Sequence, residues 1–161
     1  MPTLREGTAT DLPFLEEMLY EAFFWSGDVA RPPLIEARSL PEFSISLAGW
    51  GRPGDAALIA EYADTKAGAV WFRLWTPEAH SYGFVDSKTP ELGLAILPRF
   101  RGRGIGRRLL QATLDLAAKL AYPALSLSVA PENPARHLYE SEGFQKVGEV
   151  GTSWTLLRQL P

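Results

Sequence analysis

The feature that most constrains the fold is an apolar strand pattern that runs into a glycine-rich turn and a long helix. Glu91 to Leu97 is an almost continuous apolar run ended by Pro98, which is typical of a strand covered on both faces. Leucine and alanine recur at helical spacing through residues 109–120, and Pro123 closes that helix. Ala124 to Val129 then alternates apolar residues with serine, as strands do. A strand–helix–strand connection implies parallel strands at the centre of a sheet.

The rest of the chain adds elements around this unit. Further strands are predicted at residues 3–5, 56–62, 67–74, 145–150 and 153–160. Further helices are predicted up to about Phe23 with Thr10 or Asp11 as its cap, within the irregular segment 25–55, and from Pro134 to Gly143. With no repeat and no composition break, we predict one α/β (α+β) domain over residues 1–161. Its mixed sheet should have about six or seven strands and about four flanking helices.

The composition limits the chemistry. A net charge of −3 gives no sign of the basic face that nucleic-acid-binding proteins carry, so no nucleic-acid partner is expected. The absence of cysteine excludes disulfides and thiolate chemistry, and with only two histidines no metal site is expected. The N-terminus lacks the apolar run of a signal peptide, and no stretch approaches the roughly 20 apolar residues that span a bilayer. We therefore expect a cytoplasmic protein with no membrane partner.

The turn after the apolar strand concentrates positive charge and glycine. Five arginines fall within residues 99–108, interleaved with Gly102, Gly104 and Gly106. Glycine lets backbone N–H groups approach a ligand because no Cβ blocks the way, and the helix start adds unpaired donors and a positive partial charge. These features predict a phosphate or pyrophosphate site. The turn lacks the Gly-Lys-Ser/Thr of a P-loop, and its glycine spacing differs from that of a dinucleotide fold.

Three segments resemble the GNAT family of N-acetyltransferases. Its coenzyme A pyrophosphate loop is similar to Arg101-Gly102-Arg103-Gly104-Ile105-Gly106, and its splayed fourth strand is similar to Leu94-Ala95-Ile96-Leu97-Pro98. Its second signature, Asn-x-x-Ala-x-x-Leu-Tyr-x-x-x-Gly-Phe, is similar to the segment Asn133 to Phe144. The resemblance implies a GNAT-type sheet that splays between strands 4 and 5. It also implies acetyl-CoA as cosubstrate and leaves a homodimer open.

By resemblance, the N–H groups of Gly102 to Arg107 bind the pyrophosphate, and the main chain of Leu94, Ala95 and Ile96 holds the pantetheine arm. The side chains of Arg101 and Arg103 either pair with phosphate oxygens or are solvated surface charges. Asn133 either orders the loop beside the cofactor or simply caps a helix.

Tyr139 matches the family tyrosine that protonates the departing thiolate, and a phenol with a pKa of about 10 is suited to that task. The alternative is a tyrosine that only packs in the core. Glu91 falls where many family members place a carboxylate that can act as the base, directly or through water. The alternative is a strand-end carboxylate paired with an arginine such as Arg73. His80 is a second candidate base, although a lone histidine in a polar loop is more often a surface residue.

These assignments predict transfer of an acetyl group from acetyl-CoA directly to a primary amine of a small molecule or peptide. A non-catalytic acetyl-CoA or coenzyme A sensor is the alternative, since it would need the glycine loop but neither Tyr139 nor Glu91. An arginine–glycine contact to nucleic acid is a third hypothesis, which a single copy of the motif does not favour. An aromatic-lined acceptor cleft is expected from residues in the surrounding segments: Phe23, Phe24, Trp25, Trp71, Arg73, Trp75, Tyr82, Phe84 and Trp154.

Overall fold

A computed structural model describes residues 1–161 and shows a central sheet of seven strands. The strands are β1 Thr3–Glu6, β2 Ala56–Tyr62, β3 Thr65–Arg73, β4 Glu91–Ile96, β5 Ala124–Val129, β6 Gln145–Val150 and β7 Ser153–Gln159. Their order in the sheet is β1-β2-β3-β4-β5-β7-β6, and only β4 and β5 are parallel. The mixed sheet predicted from the sequence is confirmed, and each predicted strand end lies within two residues of the observed one.

Five helices flank the sheet: α1 Leu12–Phe23, α2 Leu34–Ala37, α3 Pro41–Ser46, α4 Ile105–Lys119 and α5 Ala135–Ser141. The sequence predicted about four, because the irregular segment was expected to hold one short helix and it holds two. Pro41 occupies the first turn of α3, where its missing N–H costs no hydrogen bond, so it begins a new helix after α2. No helix is both long and apolar enough to cross a bilayer.

The core has two layers, one on each face of the sheet. On one face, α4 and α5 cover an apolar cluster that includes Val70, Leu109 and Leu127. On the other face, α1 and α3 cover a smaller cluster that includes Leu15 and Phe43. This arrangement follows from the alternation of side chains along each strand, which places neighbouring residues on opposite faces.

The sheet is split between β4 and β5. These strands pair only at Glu91 opposite Ser126, whereas β3 and β4 pair along the whole of β4. Beyond that single pair the strands diverge toward their carboxyl ends, and β4 presents an edge without a strand partner. The splay that the family resemblance implied is therefore present, and it opens a cleft near the centre of the sheet.

A buried ion pair ties α3 to the end of β3. The side chains of Arg73 and Asp55 are 1% and 2% exposed, and the guanidinium Nε and Nη2 donate to the two carboxylate oxygens over 3.0 and 2.8 Å. Arg73 Nη1 also donates to the carbonyls of Ser46 (3.2 Å) and Ala48 (2.9 Å). Because these carbonyls lie at the C-terminal end of α3, Arg73 caps that helix while Asp55 balances its charge.

We expect Asp55→Ala to lower the free energy of unfolding by about 3 kcal/mol, because it leaves the Arg73 guanidinium buried without its counter-charge. Urea denaturation followed by tryptophan fluorescence measures the change. The matched control is Glu149→Ala, which removes the partner of Lys146 from an exposed pair and should cost less than about 1 kcal/mol. Equal losses in the two variants would contradict a structural role for the buried pair.

Candidate active site

The turn between β4 and α4 presents a row of backbone donors without partners. Gly104 precedes the first residue of α4 and has a φ of 78°, and Gly102 has a φ of 77°, so both occupy the left-handed region that favours glycine. The N–H groups of residues 102–107 donate to no acceptor in the chain. Nothing lies within 4 Å of a Cβ placed on Gly102 or Gly104, so the turn is open to a ligand. Free amides at a helix start favour an anion.

Two of the loop arginines are engaged inside the chain. Arg101 Nε donates to the carbonyl oxygen of Ile96 over 2.9 Å, and its Nη2 pairs with Glu21 at 3.2 Å. Arg107 Nη1 pairs with Glu142 at 2.5 Å. These contacts fasten the loop to β4, to α1 and to the end of α5. They hold Arg101 and Arg107 in structural roles.

Arg103 has no acidic partner. Its guanidinium carbon lies over the rings of Tyr62 and Phe100, at 5.2 and 5.7 Å from the ring centroids. Stacking of this kind leaves the N–H groups at the edge of the guanidinium free to bind an anion. Arg101 and Arg103 were both considered for phosphate binding. Of the two, only Arg103 has a guanidinium that forms no ion pair within the chain.

The unpaired edge of β4 offers main-chain groups beside this loop. Alternate residues along a strand bond to opposite neighbours, and Leu97 donates its N–H to Ala67 of the β3 side over 2.8 Å. Ala95 therefore also bonds to β3, and its N–H and C=O are not available in the cleft. Leu94 and Ile96 direct their main-chain groups away from β3, into the split.

A groove of about 290 Å³ follows the split and is called the split groove here. Its walls come from β4, the end of α1 and α5. They include Glu21, Ala22, Trp25, Leu94, Ala95, Ile96, Arg101, Asn133, Leu138 and Tyr139. The structure thus brings together the β4 residues, Arg101, Asn133 and Tyr139 that the sequence selected, and the free amides of the loop adjoin them along the chain.

Tyr139 lies in the wall of the split groove with its ring in the core. The residue is buried, and its ring meets Phe144 edge-on with centroids 5.9 Å apart. The hydroxyl makes no hydrogen bond within the chain, and burial raises the pKa of Tyr139 above its ordinary value. The phenol therefore carries its proton at neutral pH, and its raised pKa makes it a weaker acid than an exposed tyrosine.

Asn133 stands where two compartments meet. Its Oδ1 accepts a hydrogen bond from the N–H of Ala135 over 3.0 Å, so Asn133 caps the start of α5. This is one of the two roles that were considered for it from the sequence. Together with Ala22 and Trp25, it lines both the split groove and a second, wider cavity. The two spaces therefore share part of their walls, and together they are called the cleft here.

The second space has a volume of about 350 Å³ and is called the aromatic cavity here. Its aromatic lining residues are Phe23, Trp25, Trp71, Trp75 and Tyr82. Three other aromatic residues expected from the sequence, Phe24, Phe84 and Trp154, do not line it. Phe84 instead stacks on His80 at 4.3 Å between ring centroids, outside the cavity, so His80 is not placed to act on a ligand there.

Glu91 lines the aromatic cavity at the closed end of the split. Its Oε1 accepts from the indole Nε1 of Trp75 over 2.8 Å, and its Oε2 accepts from the N–H of Gly83 over 3.0 Å. Burial raises the pKa of Glu91 to about 7, and these hydrogen bonds limit the rise because they favour the carboxylate. Arg73, the suggested ion-pair partner, binds Asp55 instead, so Glu91 has no salt bridge.

Gly83 is a site residue that the sequence did not reveal. A Cβ at this position would lie 2.5 Å from Glu91 Oε2 and 2.8 Å from the backbone carbon of Leu127, so only glycine fits. Ser126 Oγ donates to the carbonyl oxygen of Gly83 over 2.7 Å and fixes the loop across the base of the split. A single glycine in a long loop gives no sequence signal for a contact with residues this distant.

The donor set shows no cluster of three or more His, Cys, Asp or Glu side chains able to share a metal ion.

Comparison with known proteins agrees with this geometry. Residues 12–144 match the sequence model of the acetyltransferase (GNAT) family. The chain is also 45% identical over 56 residues to an uncharacterized protein of Mycobacterium leprae, a match that spans 34% of this chain and only 15% of that protein.

Two solved structures share the fold over nearly their whole lengths. The PaiA N-acetyltransferase of Thermoplasma acidophilum, solved with coenzyme A, has a TM-score of 0.72 at 19% identity, with 99% of each chain covered. YncA of Salmonella typhimurium, a putative acetyltransferase solved with acetyl-CoA, has a TM-score of 0.69 at 20% identity, with 100% of this chain and 95% of that chain covered.

The raised pKa of Glu91 predicts a stability effect with a defined sign. Between an ordinary value of 4.5 and the folded value of about 7, the folded chain holds a proton that the unfolded chain has lost, so stability falls as pH rises through this window. The glutamine in Glu91→Gln does not titrate, so the stability of this variant does not fall with pH for this reason. We expect its stability relative to the wild type to rise by about 2 kcal/mol between about pH 5 and about pH 8.

Urea denaturation at both pH values measures this difference. The control is Glu17→Gln on the exposed face of α1, whose stability relative to the wild type should not change with pH. If the two variants respond to pH alike, the folded state does not hold a proton on Glu91.

Proposed function

The chain belongs to the GNAT family of acetyltransferases, and on that premise we propose that it transfers the acetyl group of acetyl-CoA directly to a primary amine. The amine belongs to a small molecule or a peptide. A cytoplasmic location suits this proposal, because the donor is a soluble metabolite.

The observation that carries the proposal is the row of free amides at residues 102–107 beside the unpaired edge of β4. Consecutive amides at a helix start fit a pyrophosphate, and alternating main-chain groups of Leu94 and Ile96 fit an extended arm that carries amide groups. Arg103 is positioned to add charge to the phosphate end. We therefore assign the loop and β4 to acetyl-CoA, which supplies a thioester carbonyl that an amine can attack.

The two titratable residues of the cleft divide the proton transfers. An ammonium has no lone pair, so Glu91 accepts its proton, directly or through water. The amine nitrogen then forms a bond to the acetyl carbon as the carbon–sulfur bond breaks, and the electron pair of that bond stays on sulfur. Tyr139 gives its proton to the thiolate, and the second proton that the nitrogen loses on becoming an amide returns to the tyrosinate, while the first leaves Glu91 for solvent.

The alternative, a coenzyme A sensor without turnover, explains the loop but not the rest of the cleft. Tyr139 borders the split groove with an unbonded hydroxyl, and Glu91 borders the adjoining cavity with a pKa near 7. A protonated phenol and a carboxylate with a pKa near 7, on either side of one cleft, favour catalysis. Release of free thiol in the presence of an amine distinguishes the two functions.

With acetyl-CoA and an alkylamine acceptor, we expect kcat/KM to rise about tenfold per pH unit below about pH 7 and to level off above it, because Glu91 must be deprotonated to act. Release of coenzyme A thiol, followed with a colorimetric reagent, gives the profile. The ionisation of the amine itself lies near a pKa of about 10, well above this step.

Glu91→Gln should lose the plateau and follow only the ionisation of the amine. A wild-type rate that climbs without a plateau to about pH 10 would remove Glu91 as the base. If no amine in a broad panel releases thiol although coenzyme A binds, the sensor function replaces the transferase.

Tyr139→Phe should lower kcat at least about tenfold and leave the affinity for coenzyme A unchanged within about twofold, because only the proton donor is lost. Thiol release gives kcat, and titration calorimetry gives the Kd of coenzyme A. Tyr122→Phe is the control, since that tyrosine lines neither space of the cleft. Unchanged turnover in Tyr139→Phe would remove Tyr139 from the mechanism.

A further inference from the structure

The aromatic cavity contains a second carboxylate that the proposed reaction does not use. Glu42 lies in the first turn of α3 and lines the cavity. Its carboxylate makes no ion pair and accepts no hydrogen bond, since only its backbone oxygen is engaged, by Ser46 Oγ at 2.9 Å. A half-buried carboxylate that faces a cavity without a partner is available to a ligand.

The cavity offers no free positive charge to balance Glu42. Arg73 is its only basic lining residue, and that guanidinium is bound to Asp55 and to backbone carbonyls. An acceptor that carries a carboxylate, such as a free amino acid, would therefore meet Glu42 and Glu91 without a cation to receive it. Repulsion between a ligand carboxylate and the two glutamates opposes binding, so the cavity selects against acceptors that carry a carboxylate.

The remaining walls favour a cation. Trp25 and Trp71 line the cavity with no cation of the chain over their rings, whereas the Trp75 ring already has the guanidinium groups of Arg52 and Arg73 beside it. Aromatic faces attract ammonium groups through the ring quadrupole. Because Glu91 receives the proton of the reacting amine, a second cation would be left for Glu42 and these rings. We propose that Glu42 is the specificity-determining residue of the aromatic cavity and selects acceptors with a second cationic group, that is, diamines rather than amino acids.

The fold holds Glu42 in this position. Arg73 caps the C-terminal end of α3. Its guanidinium carbon also lies near the rings of Trp50 and Trp75, at 5.3 and 5.4 Å from the ring centroids. Trp75 in turn donates to Glu91. The helix that carries Glu42 and the carboxylate of Glu91 are thus joined through one connected set of contacts.

The inference rests on the proposed acetyl transfer, and matched acceptors of one shape test it separately. We compare para-xylylenediamine, para-methylbenzylamine and para-(aminomethyl)benzoate, in which the group opposite the reacting amine is cationic, neutral or anionic. After allowance for its two equivalent amines, the diamine should exceed the neutral amine in kcat/KM by about 10-fold or more, as expected for a hydrogen bond between charged groups. The benzoate should fall below the neutral amine.

Glu42→Gln keeps the size of the side chain and removes its charge. It should lower kcat/KM for the diamine by about 10-fold and leave the neutral amine unchanged within about twofold. Glu36→Gln on α2 is the matched control, because Glu36 is exposed and lines neither space of the cleft. Calorimetric titration of the diamine into the wild type and both variants provides a binding readout that does not require turnover.

The outcomes separate the two proposals. If the diamine binds with a Glu42-dependent affinity and no thiol is released, acetyl transfer fails while the role of Glu42 stands. If the three acceptors react equally, or Glu42→Gln affects them equally, the role of Glu42 is overturned and acetyl transfer stands. If none of the amines binds or reacts, both are overturned.

Discussion

The rest of the site depends on the single pair, Glu91 opposite Ser126, that joins β4 to β5. A central strand normally has both edges hydrogen-bonded, and buried backbone groups without partners cost free energy. Divergence after one pair leaves the main chain of Leu94 and the N–H of Ile96 without a strand partner at the centre of the sheet, while the carbonyl oxygen of Ile96 accepts from Arg101. The structure keeps these groups beside an open groove, so a ligand or water can satisfy them. The same divergence opens the cavity in which Glu91 lies. Binding surface and catalytic position therefore have one geometric origin.

Burial acts on the two candidate catalytic groups in the same direction. It raises the pKa of both Glu91 and Tyr139, because it disfavours the charged form of each. For Glu91 the rise is limited by donors from Trp75 and Gly83, which leaves it near neutrality, where a base can both take and release a proton. Tyr139 has no such donor and stays protonated. Base and acid are separated first by their ordinary pKa values, about 4 for a glutamate and about 10 for a tyrosine, and burial raises both.

The sequence predicted what local patterns encode and missed what the fold brings together. Strands, the long helix and the glycine loop were predictable, because apolar period, proline and glycine act within a few residues. The pairing of Arg73 with Asp55 was not, since nothing near either residue distinguishes that partner from Glu91, which is opposite Arg73 in the sheet. Gly83 lies in a loop and Glu42 in a short helix, and neither belongs to a sequence motif. Their roles depend on long-range packing, which periodicity does not describe.

The division of the cleft into two spaces links the two substrates. Ala22, Trp25 and Asn133 line both the split groove and the aromatic cavity, so the residues that border one ligand also border the other. Asn133 holds its position through its bond to the start of α5, the helix that carries Tyr139. A thioester at the end of the split groove would thus face an amine in the cavity across this shared wall. If Tyr139 and Glu91 act as the proposed acid and base, the reacting bond lies where the two spaces meet, at their junction rather than in either space alone.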